Sequence, residues 1–135
     1  MKEKEIIRKY LGIPYKHMGR SADALDCWGL IKAIYADRGL DIYDLNGSYE
    51  SEWSKNGKNY FLENYYKDWD KVSTPQFLDV ILINSAQHVA CHAGVFLSYS
   101  KFIHCTKVGV LVSKLSSSAW KNRIEGFYRL KALQL

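Results

Sequence analysis

Leu25-Asp26-Cys27-Trp28-Gly29-Leu30 decides the fold of this chain, because it predicts a helix with a cysteine in its first turn. Asp26 is a favourable N-cap, since its carboxylate can accept from the unpaired amides of that turn. Cys27 lies on the apolar stripe of an amphipathic helix over 26–38, which continues through Leu30, Ile31, Ile34 and Tyr35. Gly39 is a plausible stop. The positive end of the helix dipole is expected to favour the thiolate of Cys27.

The composition is that of one soluble globular domain over 1–135. Apolar residues make up 47% of the 135 residues and charged residues 24%, which suits a chain with a sizeable core. The net charge of +5 favours anionic partners, but the Lys and Arg residues are dispersed and predict no nucleic-acid partner. Three cysteines without CxxC spacing argue against a disulfide framework and against a zinc site.

The N-terminus predicts where the chain is made. Residues 1–5 are Met-Lys-Glu-Lys-Glu, a charged start that lacks the apolar core of a signal peptide, and no apolar stretch is long enough to span a membrane. We expect synthesis in a reducing cytoplasm and, if the chain leaves, a route other than classical secretion.

The predicted elements are helices first and strands afterwards. A short helix is expected over 3–11, a loop over 16–25 and a further helix around 56–67. The texture becomes β from Val72 onward, with strands expected at 79–83, 88–99, 101–105, 108–112 and 124–130. Segregated elements of this kind predict an α+β fold, in which the helices pack on an antiparallel meander.

Two histidines on neighbouring strands are candidate partners for the thiol. Strand alternation places His92 and Gly94 on one face, and a glycine there is expected to leave open space beside the imidazole for a substrate. A hairpin at 99–100 would set His104 beside His92 and orient its ring. Cys27, His92 and His104 would then form a nucleophile, a base and an orienting group.

The residues alone leave a structural interpretation open. A cysteine on an apolar helix is more often a small core residue, and a strand histidine is more often an ordinary polar residue. Cys91 and Cys105 are interpreted as small buried residues on the core side of the sheet.

A resemblance favours the catalytic interpretation. Gly12-Ile13-Pro14-Tyr15, Gly19-Arg20-Ser21 and Asp26-Cys27-Trp28-Gly29-Leu30 resemble the opening motif of the NlpC/p60 family of papain-like cysteine peptidases. The stretch from His92 to Leu97 resembles the His-x-Gly block of that family, and Phe102-Ile103-His104-Cys105 resembles the strand that carries its third catalytic residue. The phage-tail and prophage branch is the most similar, because Trp28 follows the cysteine and Trp120 precedes Gly126-Phe127-Tyr128-Arg129.

The resemblance implies a papain-like fold and a cysteine endopeptidase that cleaves peptidoglycan stem peptides between D-glutamate and a diamino acid. By the same resemblance Cys27 is the nucleophile, His92 the base and His104 the orienting residue, and the hydroxyl of Tyr15 lies near the cysteine. No cofactor or metal is implied. The implied partners are the stem peptide and phage tail-tip proteins, and the implied location is the virion tail or the cell wall.

Two departures from the family pattern stand out. Trp28 replaces the serine usual in wall hydrolases, which bears on substrate specificity. Leu78 replaces a glycine before Asp79, and Asp79 is interpreted as structural. His17 and His88 have no assigned role.

Two other functions remain open at this point. One is a phage tail assembly protein that keeps the fold without hydrolysis, although the intact Cys27, His92 and His104 argue against it. The other is an amidase or acyltransferase that uses the same three residues on another amide.

Overall fold

The computed structural model describes residues 2–42, 68–84 and 90–134. The helix expected around 56–67 and His88 lie outside these ranges. The helices are α1 (Glu3–Tyr10) and α2 (Cys27–Ala36), with a 3-10 helix at Lys131–Gln134. The strands are β1 (Arg20–Ser21), β2 (Ala24–Leu25), β3 (Trp69–Val72), β4 (Val80–Asn84), β5 (Ala90–Phe96), β6 (Lys101–Thr106), β7 (Gly109–Lys114) and β8 (Ile124–Leu130).

Helix α2 begins where the sequence predicts. The Asp26 carboxylate accepts from the Gly29 amide at 2.8 Å, which satisfies one of the unpaired donors of the first turn. Six residues of α2 are buried: Trp28, Gly29, Leu30, Ile31, Ile34 and Tyr35. Gly39 follows the helix with φ of +77°, a conformation that glycine adopts without steric cost.

The loop expected over 16–25 is partly wrong, because β1 and β2 form a two-stranded antiparallel hairpin there. Strands of two residues carry too little alternation for a sequence pattern to reveal them. The hairpin leads directly into α2, so it fixes how the chain enters the cysteine helix.

A six-stranded antiparallel sheet confirms the α+β class, in the order β3-β8-β4-β5-β6-β7. Strands β4 to β7 form the expected meander. The last strand does not extend it, because β8 crosses back and inserts between β3 and β4. Strand β3 begins at Trp69, earlier than the predicted onset at Val72.

The two faces of this sheet differ in composition. The helix face is the side covered by α2, and its buried strand residues include Val80, Leu82, Ala93, Val95, Ile103 and Cys105. The histidine face is the opposite side, with Ile81, Ile83 and Phe102 buried among partly buried residues that include Phe96, Trp120 and Phe127. The expected alternation along β5 and β6 is confirmed, since consecutive residues fall on opposite faces.

Strand β7 lies at one edge of the sheet, and the segment after α1 covers its beginning. The Gly12 amide donates to the Val110 carbonyl, and the Val110 amide donates to the Ile13 carbonyl, each at 3.0 Å. The N-terminal segment therefore pairs with backbone groups that an edge strand would otherwise expose.

Asp79 is paired inside the protein at the start of β4. It is 1% exposed and accepts from Arg129 through Nε at 2.9 Å and Nη2 at 2.7 Å, a bidentate pair that ties β4 to β8. Leu78 has φ of +79°, the conformation that a glycine would favour at this position. Its amide donates to Phe96 at 2.9 Å and its carbonyl accepts from the Tyr35 hydroxyl.

Candidate active site

Cys27 is the first residue of α2 and is half-buried. Its sulfur accepts a hydrogen bond from the backbone of Ala93, the residue after His92 on β5. The helix therefore brings the thiol to the segment of β5 that carries the candidate base.

The contact occurs where β5 and β6 separate. Their register ends at the pair Gly94–His104, although β5 starts at Ala90 and β6 continues to Thr106. The Cys105 thiol on β6 donates to the Leu25 carbonyl at 3.2 Å, which holds the segment before α2 against the sheet. Groups from the helix face and from the histidine face therefore come close together where β5 and β6 separate.

His92 and His104 form a direct pair. His92 Nε2 lies 2.8 Å from His104 Nδ1, and the two ring centroids are 5.0 Å apart. His104 is fully buried, and its Nε2 lies 2.8 Å from the Ser113 hydroxyl on β7. The predicted neighbourhood of the two histidines is confirmed, and both nitrogens of the His104 ring have a partner.

Aromatic rings enclose this pair. Trp120 stacks on His92 with centroids 6.2 Å apart and meets His104 edge-on at 4.9 Å. Phe102 lies 4.4 Å from the His104 ring, and the Arg123 guanidinium lies 5.1 Å from the centroid of Trp120. The rings surround a pair in which His104 is fully buried and His92 half-buried, and the lower local dielectric strengthens the hydrogen bond between them.

The electrostatics favour neutral groups at rest. Burial lowers the pKa of His92 to about 3, with smaller effects from His104 and Arg123, and burial lowers the pKa of His104 to about 4. Burial and then the Asp26 carboxylate raise the pKa of the Cys27 thiol above its usual range. Burial and Asp26 therefore act against the thiolate that the helix N-terminus is expected to favour, and the net direction is toward the thiol.

The opening motif builds the N-terminus of α2. The Asp26 carboxylate accepts from Arg20 Nη1 at 2.8 Å and from the Met18 amide at 3.0 Å, besides its bond to Gly29. A Cβ at Gly29 would lie 2.1 Å from the Gly19 carbonyl oxygen. The β1–β2 hairpin therefore packs directly on the first helical turn, which requires glycine at 29.

Gly94 does not leave open space beside the imidazole, and that expectation is wrong. A Cβ there would lie 2.9 Å from the Ile103 carbonyl oxygen and 3.0 Å from both His104 Cβ and Phe102 Cδ2. The absent side chain permits the close approach of β6. Gly94 consequently sets the distance between the two histidines.

Tyr15 lies beside the segment that leads into α2. Its backbone bridges Leu25, two residues before Cys27, and its partly buried side chain packs against the core of the helix face. The placement of its hydroxyl near the thiol stays a prediction. His17 lies in the turn before β1.

Ser113, Trp120 and Arg123 are site neighbours whose contacts were not predicted from the sequence. Trp120 entered only through the family resemblance. A signal existed for Ser113, since a polar residue on a strand opposite the buried Phe102 must face the histidine side. Cys105 is buried on the helix face as predicted. The part of the chain that the structure describes contains no group of three or more metal-ligating side chains and no helix able to cross a membrane.

Comparison with known proteins identifies the family. The sequence pattern of the NlpC/P60 family matches residues 12–129. The chain belongs to the NlpC/P60 family. The match includes every residue of the candidate site, from Tyr15 to Arg123.

Among curated proteins, the chain is similar to one named "Probable peptidoglycan endopeptidase LytE" from Bacillus subtilis (strain 168). The two are 26% identical over 119 residues, which is 88% of this chain and 31% of that protein. The chain therefore spans about a third of the length of the relative it matches.

Solved structures show the same fold. A protein of the NLP/P60 family from Staphylococcus aureus subsp. aureus Mu50, described as similar to a lipoprotein, has a TM-score of 0.67 at 23% identity and covers 94% of this chain and 39% of that one. The NlpC/p60 domain of the peptidoglycan hydrolase SagA has a TM-score of 0.61 at 18% identity and covers 94% of this chain and 95% of that one. The papain-like fold expected from the resemblance is confirmed.

Proposed function

We propose that the chain is a cysteine endopeptidase that hydrolyses peptidoglycan stem peptides between D-glutamate and a diamino acid. The observation that carries the proposal is the 2.8 Å hydrogen bond between His92 and His104. The Cys27 thiol is hydrogen-bonded to the backbone of Ala93, the residue that follows His92 on β5. This is the pattern of a nucleophile, a base and a group that orients the base. The name of the Bacillus relative supports the substrate class.

The reaction begins from the neutral pair. His92 takes the thiol proton while Cys27 Sγ forms a bond to the carbonyl carbon of the peptide. The tetrahedral intermediate collapses, the amine leaves with the proton from His92, and a thioester remains. Water then adds to the thioester and gives its proton to His92, which releases the carboxylate and restores the thiol.

The amide of Cys27 is a candidate donor to the oxyanion, because it lies at the N-terminus of α2, where backbone donors have no helical partner. The neutral state of His92 suits this sequence of steps, since only an unprotonated imidazole can take the thiol proton. Burial raises the free energy of the ion pair that forms, and the bond to His104 offsets part of that cost.

Phage-tail association is a further part of the proposal. It rests on Trp28 and Trp120, the residues that resemble the phage-tail branch. Trp28 is 2% exposed and its ring lies 6.5 Å from that of Trp69, so the position of the usual serine carries an indole directed into the core. We propose a tail-tip assembly as partner, and the virion tail or the cell wall as location.

Digestion of purified sacculi and of a defined stem peptide tests the activity. We expect a new free amine on the diamino acid by mass spectrometry, and at least about a thousandfold less of it with Cys27→Ala. Cys105→Ala is the matched control, because it removes a second thiol, which is buried on the helix face and donates to the Leu25 carbonyl. Absence of cleavage by protein whose Cys27 reacts fully with an alkylating probe would overturn the proposal and favour the assembly protein.

A further inference from the structure

Ser113 extends the row of hydrogen-bonding groups by one strand. Its hydroxyl lies 2.8 Å from His104 Nε2, and His104 Nδ1 lies 2.8 Å from His92 Nε2. The row runs from β7 through β6 to β5, along the histidine face. Phe102 pairs with Ser113 in the β6–β7 register, which places the hydroxyl on the same face as the imidazoles.

The hydrogen positions along this row are linked. Burial keeps His104 neutral, so its ring carries a single N–H. If that hydrogen is on Nε2, it points to Ser113, and Nδ1 accepts from His92 Nε2–H. The Nδ1 atom of His92 then has a lone pair and can take a proton from the thiol.

The opposite orientation blocks the base. If the Ser113 hydroxyl donates to His104 Nε2, the single N–H of His104 is on Nδ1 and donates to His92 Nε2. Neutral His92 then carries its hydrogen on Nδ1 and has no lone pair there for the thiol proton.

We propose that Ser113 is a positioning residue that accepts from His104 Nε2–H and thereby holds His92 in the tautomer that can act as a base. The inference rests on the proposed function for its catalytic consequence, but the tautomers themselves are measurable without it. Ser113 is half-buried, so its own hydrogen can point to solvent while its oxygen accepts.

The surroundings of the pair leave the serine as the group that decides the tautomer. Phe102 and Trp120 contribute rings without a buried acceptor for His104. The titratable or charged groups near the pair in the described ranges are the Cys27 thiol, at the backbone of Ala93, and Arg123, over Trp120. Arg123 is a donor, so it cannot take the place of Ser113 as acceptor.

The direct test is nitrogen NMR of the two imidazoles in ¹⁵N-histidine protein at pH 7. We expect His104 and His92 to show mainly Nε2–H tautomers in the wild type. Ser113→Ala is expected to lower the Nε2–H share of both rings, and Ser113→Thr, which keeps the hydroxyl, to restore it. Ser98→Ala is the matched control. Ser98 follows the end of β5 that is away from His92, and its hydroxyl also makes a side-chain hydrogen bond, to Glu3.

Kinetics supply the second measurement. For stem-peptide hydrolysis we expect Ser113→Ala to lower kcat about tenfold with KM unchanged, the size typical of an outer partner of a functional imidazole. Ser113→Thr should stay within about twofold of the wild type. Cys27 alkylation against pH gives the same comparison without substrate.

The outcomes separate the two proposals. Suppose that the tautomers shift in Ser113→Ala and that the wild-type protein cleaves no stem peptide. This result would support the role of Ser113 and overturn the proposed peptidase activity. Tautomers and kcat that match the wild type in Ser113→Ala would overturn the role of Ser113, while Cys27-dependent cleavage would still support the peptidase. A wild type with mainly Nδ1–H tautomers would also overturn the role of Ser113.

Discussion

The helix face and the histidine face of the same sheet have different roles. On the helix face, aliphatic residues from β4, β5 and β6 meet the apolar stripe of α2, and this large cluster supplies the main core. On the histidine face a smaller cluster of Ile81, Ile83 and Phe102 supports two imidazoles. One face therefore contributes mainly to stability, and the other holds the pair of histidines.

Alternation along a strand assigns successive residues to the core on one face and to the histidine pair on the other. Ile103 and Cys105 face the helix, while Phe102 and His104 face the opposite side. A substitution at one residue can change the core alone, and a substitution at its neighbour can change the site.

Adjacent truncations on β6 should separate stability from reactivity. Both Phe102 and Ile103 are fully buried. We expect Phe102→Ala to lower the free energy of unfolding by about 3–5 kcal/mol and Ile103→Ala by about 2–5 kcal/mol. Urea unfolding measures these changes.

Only Phe102→Ala should also change the site, because the Phe102 ring lies 4.4 Å from His104. We expect this variant to change the pH profile of Cys27 alkylation, and Ile103→Ala to keep the wild-type profile. Equal changes in both profiles would contradict the separation of the faces.

The histidine face should make stability depend on pH. The pKa of His104 is about 4 in the folded protein and about 6.5 when unfolded, so the unfolded chain binds more protons between these values. The free energy of unfolding should therefore fall as pH falls from about 6.5 toward 4, by on the order of 3 kcal/mol from His104 alone. Urea unfolding at a series of pH values measures the slope.

His104→Gln is the matched variant for this slope, because glutamine can hydrogen-bond but does not titrate in that range. We expect its free energy of unfolding to be lower throughout but to vary less between pH 6.5 and 4. A slope identical to that of the wild type would show that His104 is not the group responsible.

Gly94→Ala should strain the contact between β5 and β6. The new methyl group would lie about 3.0 Å from His104 Cβ and close to the Ile103 carbonyl oxygen, so we expect a loss of about 1–3 kcal/mol. Thermal unfolding gives the loss, and NMR of the imidazoles gives the displacement of His104.

Gly126→Ala on β8 is the control for a strand glycine. Its methyl group would meet mainly Lys71 Cε, at 2.6 Å, and that flexible side chain can move away. We expect a change below about 1 kcal/mol. If both variants lost the same free energy, the cost at Gly94 would be a general effect of strand glycines.

Cys105→Ala should lower stability slightly and leave the reactivity of Cys27 unchanged. The Cys105 thiol is buried on the helix face and donates to the Leu25 carbonyl. We expect a loss of about 1 kcal/mol in the free energy of unfolding, with the rate of Cys27 alkylation within twofold of the wild type. A tenfold fall in that rate would show that Cys105 takes part in the site.

Strand alternation made much of the site predictable from the sequence. A period of two residues assigns each side chain of β5 and β6 to a face, and the turn at Tyr99 and Ser100 fixes their register. The N-cap at Asp26 and the apolar period of α2 placed Cys27 at the start of a helix. These signals are local, so a single sequence contains them.

The features that were not predicted depend on distant parts of the chain. The pairing of β8 with β3 and β4 joins residues far apart in sequence, and no local pattern encodes it. The prediction that Gly94 leaves open space was wrong, because a glycine in a sequence does not reveal whether a neighbouring strand fills the volume beside it. The raised pKa of Cys27 follows from burial by the complete fold, which a helix dipole argument omits.

The pairing of Gly12 and Ile13 with Val110 has a consequence for association between molecules. Strand β7 has an exposed Val108 beside it and Leu111 on its surface, the kind of apolar edge that can template the strand of another molecule. Because the N-terminal segment is hydrogen-bonded to the amide and carbonyl of Val110, a strand of a second chain cannot pair with β7 at that residue. The segment that leads to the cysteine helix thus also limits pairing with another chain at the beginning of β7.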